Sequence, residues 1–178
     1  MADGTENAMF AARPHQLTRH QFLTQFGGIY EHSQWVAEAV LADGLGPDDD
    51  RISHLGRRMA AIVDDAGSER QSALLRAHPE LAGKLAIDGG LTSESTAEQA
   101  SAGLDRCSPE EFAEFQMLNK AYGQRFGHPF IIAVRGLTRA DILAAFRRRI
   151  DNDETIEFAT ALAEVHKIAR LRLDMLAG

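Results

Sequence analysis

The chain of 178 residues has a single cysteine, Cys107. That excludes an internal disulfide framework and fits a reducing compartment. Positive charge is also scarce: 19 Lys and Arg stand against 26 Asp and Glu, a formal net charge of −7. Such a field argues against nucleic acid and against an anionic membrane surface as partners. An anionic ligand has to be held locally by Arg or Lys, against the overall field. No apolar run is long enough to span a bilayer. The first dozen residues lack a positive segment followed by an apolar one, and Leu176-Ala177-Gly178 is not a peroxisomal tripeptide; the expectation is neither a signal peptide nor a peroxisomal address, and a cytoplasmic protein. There is no phosphate-binding glycine loop and no dinucleotide fingerprint. The seven histidines and Cys107 show no zinc spacing, so no metal site is expected. Internal repeats, low-complexity tracts and a second domain are likewise missing.

What the chain does contain is a series of helix starts. Thr18-x-x-Gln21 is a capping box ahead of Phe22, Leu23 and Phe26, and Gly27-Gly28 stops that helix. Ser33 is placed to cap a helix over 35–41. The run Asp48-Asp49-Asp50 reads as the first turn of the next helix, where carboxylates suit the dipole. Leu55, Met59 and Ile62 recur at helical spacing within 51–66, and Leu74 and Leu75 lie in a further helix over 68–77. His78-Pro79 breaks that pattern, because a residue before proline avoids the helical region. Residues 83–91 read as a glycine-punctuated loop, after which Thr92 or Ser93 opens a helix. Ser108-Pro109-Glu110-Glu111 is the clearest start, with Phe112, Phe115, Leu118, Tyr122 and Phe126 down one face. Thr138-x-x-Asp141 starts a helix to about Ile150, and Asp151 or Asp153 starts the last, to about Met175. The strand-like stretch 130–134 has no partner and reads as an extended buried loop. The pattern predicts an all-α fold, a single compact bundle-like domain of about eight helices over 17–178, with 1–16 as a loose N-terminal tail.

Several polar groups stand out against this scaffold. His78 ends a helix, where the negative end of the dipole favours its protonated form; the alternative is a surface histidine bonding the last carbonyls. Ser95, Glu98, Gln99 and Ala102 share one helix face, which reads either as the wall of a cleft or as a solvated surface. Ala97, Ala100, Ser101 and Leu104 form the face suited to packing. In the last helix Phe158, Leu162, Val165, Ala169 and Leu176 form an apolar stripe, and Arg172 falls about 50° from its centre. An inward guanidinium needs an anionic partner, either a buried carboxylate or a substrate. The buried loop 130–134 must satisfy its own N–H and C=O groups, and directing them at a ligand is one way to do so. Cys107 reads as a loop or half-buried thiol.

Together these segments resemble a known family. His78-Pro79-Glu80-Leu81-Ala82-Gly83, then Ser95-x-x-Glu98-Gln99-x-x-Ala102-Gly103-Leu104, then Phe126-Gly127-x-Pro129-Phe130-Ile131, and Arg172-Leu173 are similar in order and spacing to the 2-oxo-4-hydroxy-4-carboxy-5-ureidoimidazoline (OHCU) decarboxylases of urate degradation. Phe26-Gly27-Gly28-Ile29-Tyr30-Glu31-His32-Ser33 extends the likeness upstream, to about 18–176 in all. The resemblance implies an all-α, homodimeric, cofactor-free enzyme that decarboxylates OHCU to (S)-allantoin. It implies His78 and Glu98 as the catalytic pair. It implies Pro79, Ser95, Gln99, Arg172 and the main chain of Ile131, Ile132, Ala133 and Val134 as substrate contacts. His128 falls at a variable position and receives no role. The competing readings are a non-catalytic helical interaction module with Arg172 paired internally, a small nucleic-acid binder disfavoured by the charge, and a related decarboxylase acting on another ureido or imidazoline acid.

Overall fold

A computed structural model describes residues 8–83 and 91–178. Among them are eight α-helices: α1 Arg19–Phe26, α2 Trp35–Ala42, α3 Ile52–Asp64, α4 Ser68–Arg76, α5 Ser93–Ser101, α6 Pro109–Phe126, α7 Arg139–Arg149 and α8 Glu154–Asp174. No strand occurs among the described residues; two isolated bridges, Met9 with Arg51 and Phe10 with Ala177, are the only β pairings there. The all-α expectation holds. Of the loop expected over 83–91, residues 84–90 lie outside the described residues.

The chain divides into two compact units, one of Met1–Ala77 with His166–Gly178 and one of His78–Val165. In the first unit Thr18 caps α1 through the expected box with Gln21. That helix buries Phe22 and Phe26, whose rings stack at 4.8 Å, and Phe10 meets Phe26 edge-on at 5.1 Å. Ile52, Leu55, Met59 and Val63 give α3 its inner face.

Three expectations for this unit differ from what is found. The loose tail was placed through residue 16, but from residue 8 onward the chain is anchored. Phe10 is buried, its N–H donates to Asp50 C=O, and Ala11 N–H donates to Leu176 C=O. The acidic run does not open α3. It forms a single 3-10 turn, Pro47–Asp50, whose Asp49 and Asp50 point inward. Asp49 accepts from Arg58 at 2.7 Å, and Asp50 accepts from Arg13 at 3.3 Å and pairs with His15 Nδ1 at 2.8 Å. Two buried carboxylates with specific partners are a tertiary device, not a dipole effect. Finally, α2 is entered from Gln34, already in helical conformation and making no side-chain cap, so Ser33 is not the expected cap.

In the second unit Ser108 and Thr138 make the expected capping boxes for α6 and α7. Asp153 receives the Thr155 N–H at 2.8 Å at the head of α8. Phe115, Leu118 and Tyr122 are buried along α6. Phe130, just past α6, stacks on Phe146 of α7 at 3.9 Å. Residues 130–134 are neither helix nor strand, as expected.

Candidate active site

Two of the motifs singled out in the sequence meet around one apolar core of the second unit, which contains Leu81, Ala82, Ala102, Phe115, Phe130 and Val134. The first is the turn after α4. That helix closes at Ala77, whose N–H donates to Ala73 C=O. His78 follows directly and is buried, 9% exposed, rather than on the surface. Pro79 then prevents the helix from continuing.

The turn is held by three carboxamides that approach its backbone. Gln99 accepts from Ala82 N–H at 3.1 Å and donates to Glu80 C=O at 3.3 Å. Asn119 donates to Leu81 C=O and Gln116 to Ala82 C=O, each at 2.9 Å. Ala82 itself sits at φ +48°, a left-handed conformation costly for a residue with a Cβ. A loop in that state persists only where its surroundings over-determine it, and these four bonds do so. Sequence reasoning missed Gln116 and Asn119. Asn119 is a buried polar residue on the apolar face of α6, one position after Leu118, and that was the available signal.

The second motif is α5, capped by Thr92, which accepts from Ser95 N–H at 3.2 Å. The face read as the wall of a cleft or as a solvated surface is the inward one, and of the face read as suited to packing only Leu104 is buried. Ser95, Gln99 and Ala102 are buried, whereas Ala97 and Ser101 are exposed. The polar face is the inward face. Glu98 lies half-buried at its margin. The amide of Gln99 is committed to the 80–82 turn on both its oxygen and its nitrogen.

The loop 130–134 satisfies only part of its backbone internally. Ile131 C=O accepts from Arg149 Nη1 at 2.7 Å, and Ala133 N–H donates to Glu164 at 2.9 Å. Val134 C=O accepts from Leu137 N–H at 3.0 Å. The N–H groups of Ile132 and Val134 find no hydrogen-bond partner among the described residues. Arg149 is locked by Glu157, at 2.9 Å through Nε and 2.5 Å through Nη2, and lies over the Phe130 ring at 4.4 Å. Glu157 also accepts from the Tyr122 hydroxyl and from Asn152 Nδ2 at 2.7 Å. Burial, reinforced by Glu157, pushes the Tyr122 hydroxyl far above its usual range, so it stays a donor. The sequence reading missed this fully buried Arg–Glu pair.

Arg172 belongs to the other unit, where it is buried as its place near the apolar stripe indicated. Its anionic neighbour is Glu31, with Nη1 2.7 Å from Oε2. Nη1 also donates to Gly28 C=O at 3.3 Å. Glu31 had been quoted only as part of a motif; its burial between Tyr30 and Ser33, both buried too, is what reveals its role. His166 is not isolated either: Nδ1 lies 2.8 Å from the Tyr30 hydroxyl and Nε2 3.1 Å from Asp64. Cys107 is half-buried and donates to Leu104 C=O at 3.4 Å. Burial, with Glu111 nearby, raises its pKa, which disfavours a nucleophilic thiolate. Among the described residues no group of three or more His, Cys, Asp and Glu could hold a metal ion.

The sequence model of the family described as OHCU decarboxylase matches residues 15–174. The chain belongs to the OHCU decarboxylase family. It is 44% identical over 167 residues to the 2-oxo-4-hydroxy-4-carboxy-5-ureidoimidazoline decarboxylase of Haloferax volcanii, covering 89% of this chain and 95% of that protein. It is 36% identical to the mouse enzyme of the same name, covering 89% and 87%. A uric acid degradation bifunctional protein of Bacillus subtilis is 40% identical to it, but this chain spans only 31% of that longer protein. A crystal structure of (S)-allantoin synthase superposes with a TM-score of 0.71 at 33% identity, covering 91% of this chain and 52% of that one. For this OHCU decarboxylase family member no helix among the described residues is long and apolar enough to cross a membrane.

Proposed function

We propose that the protein decarboxylates OHCU to (S)-allantoin and carbon dioxide in urate degradation. The single observation that carries this reading is the family match over 15–174, within which every residue expected at the site lies. Loss of CO₂ breaks one C–C bond and leaves its electron pair on the ring carbon. The adjacent C=N and carbonyl groups of the imidazoline delocalise that pair, so the reaction asks for no metal or organic cofactor. What the protein must supply is orientation of the C–CO₂⁻ bond, stabilisation of the developing enolate-like charge, and a proton delivered to one face.

In this reading His78 is the acid/base group, acting at the substrate 4-hydroxyl or the new carbanion. Its burial and the proline behind it favour a fixed imidazole. Glu98 orients His78 or the substrate hydroxyl, and Ser95, on the same inward-facing helix, fixes the substrate. The N–H groups of Ile132 and Val134 serve ring or ureido oxygens, where preorganised donors count most. Pro79 and Gln99 act mainly by holding the histidine's turn, and Gln99's bonds to residues 80 and 82 support that assignment. Arg172 offers the substrate a guanidinium already oriented by Glu31. The functional unit is a cytoplasmic homodimer, an inference from the resemblance together with the single cysteine.

The test is direct. OHCU is generated from urate by uricase and hydroxyisourate hydrolase, and the protein is added while circular dichroism is followed. Rapid appearance of the (S)-allantoin signal supports the reading. A rate equal to spontaneous decay leaves the helical interaction module as the better account.

A further inference from the structure

We propose that Arg149 and Glu164 are positioning residues that clamp the 130–134 loop, so that the Ile132 and Val134 N–H groups face the substrate. This rests on the decarboxylase reading and deepens it by naming the groups that build the donor pair.

The clamp acts on alternate residues and with opposite chemistry. Arg149, from α7, donates to Ile131 C=O; Glu164, from α8, accepts from Ala133 N–H. A cation therefore takes a carbonyl and an anion takes an amide two residues on, which fixes the rotation of the intervening peptide groups. Arg149 cannot swing away. Two of its nitrogens are bonded to Glu157, its guanidinium rests on Phe130, and Phe130 is stacked on Phe146 of the same helix that carries Arg149. Glu157 is in turn fixed by Tyr122 and Asn152.

Stability alone does not explain so elaborate an arrangement. A buried ion pair is a poor stabiliser compared with apolar side chains of the same volume, because both charges must be desolvated. A short loop between helices could be held by packing of Phe130 and Val134 alone. What the charges add is register: they engage one carbonyl and one amide and leave the N–H groups of residues 132 and 134 for another partner. Donors fixed in advance bind the substrate's ring or ureido oxygens without first having to be ordered, so loosening the clamp weakens substrate binding.

Glu164 provides the cleanest test, because it is only half-buried. Glu164→Ala removes the acceptor of Ala133 N–H, whereas Glu164→Gln retains a carbonyl oxygen there. With the full chain and freshly generated OHCU, Glu164→Ala is expected to raise KM about three- to tenfold, the scale of one hydrogen bond, and Glu164→Gln to restore it. The paired change Arg149→Met with Glu157→Gln, which removes both charges and leaves an amide oxygen to accept from Asn152 Nδ2 and an amide N–H to donate to the Tyr122 hydroxyl oxygen, is expected to raise KM as well. A purely structural role lowers the active fraction, so kcat falls while KM stays constant. That outcome, or a KM within twofold of wild type in Glu164→Ala, overturns the clamp while leaving the decarboxylase reading intact. If the unaltered protein itself shows no turnover of OHCU, the reading fails and the clamp falls with it. Should the Arg149 variant not fold, the two Glu164 variants decide alone.

Discussion

Arg172 and Glu31 form a buried ion pair, Nη1 to Oε2 at 2.7 Å, between the last helix and the turn after α1. Both side chains are almost wholly removed from solvent. An inward guanidinium required an anion, and the protein itself supplies one. Arg172→Met therefore takes the guanidinium away from a buried carboxylate, and unfolding in urea is expected to show a loss of up to about 3–5 kcal/mol. Adding Glu31→Leu to that variant should return most of the loss, since a matched apolar pair avoids the desolvation of both charges. If Arg172→Met alone unfolds like the wild type, the pair does not carry the stability assigned to it.

His78→Asn should leave the helical signal and melting temperature close to wild type while kcat falls by ~10²–10⁴, the usual worth of one acid/base group. The readout is allantoin formation beside a thermal melt on the same preparation. Turnover near the wild-type rate in the folded variant would rule out the acid/base role.

Gln99→Leu removes the partner of Ala82 N–H and Glu80 C=O together. Leaving the buried Ala82 N–H unsatisfied costs about 1–3 kcal/mol, and the turn of the left-handed Ala82 then lacks two of the bonds that hold it. The expected result is a lower melting temperature and faster amide exchange at Ala82, with Leu104, in the same core, less affected. Equal protection of both amides in variant and wild type contradicts this.

Asp50 gives a pH signature. Burial alone would raise its pKa, but hydrogen bonds from the His15 side chain, the His15 N–H and Arg13 outweigh this and hold it below the ordinary 3.8. A carboxyl depressed in the folded state contributes stability that is present above its unfolded pKa and lost as pH falls through the folded one. Asp50→Asn lacks that contribution. The stability gap between wild type and Asp50→Asn should be widest near neutrality and should close below pH 3.8. Urea midpoints at several pH values measure it, and a gap independent of pH would refute the assignment.

Most of the helical architecture was legible because it is written in local chemistry. The boxes at Thr18, Ser108 and Thr138 each need only four consecutive residues, and each forms as read. What escaped the sequence depends on residues far apart. Asp49 and Asp50 looked like a helix start because dipole complementarity is a local rule; their partners at 13, 15 and 58 belong to other segments. That Ala97 and Ser101 of α5 are exposed, although their face read as suited to packing, has a related reason. A helix with few large apolar residues offers weak periodicity, and the choice was made by the carbonyl and amide of the 80–82 turn, which draw Gln99 inward. Arg172 was placed correctly by its angle on α8, but Glu31, at a distance of 141 positions, could be matched to it only in three dimensions. Arg149 and Glu157 passed unnoticed because each, taken alone, reads as an ordinary charged residue near a helix end.

The pairing at the edge of the first unit has a practical consequence. Residues 9–11 run antiparallel to 176–178: Ala11 N–H meets Leu176 C=O at 3.0 Å, and Gly178 N–H meets Met9 C=O at 3.1 Å. The beginning and end of the described fold thus lie side by side. A linker of a few residues could join them and turn the polypeptide into a ring, which can then be reopened at an exposed glycine such as Gly44 without cutting any helix. Such circular permutants keep the helices whole and alter the order of synthesis. They also offer a handle for attaching probes or surfaces at a chosen point of the first unit.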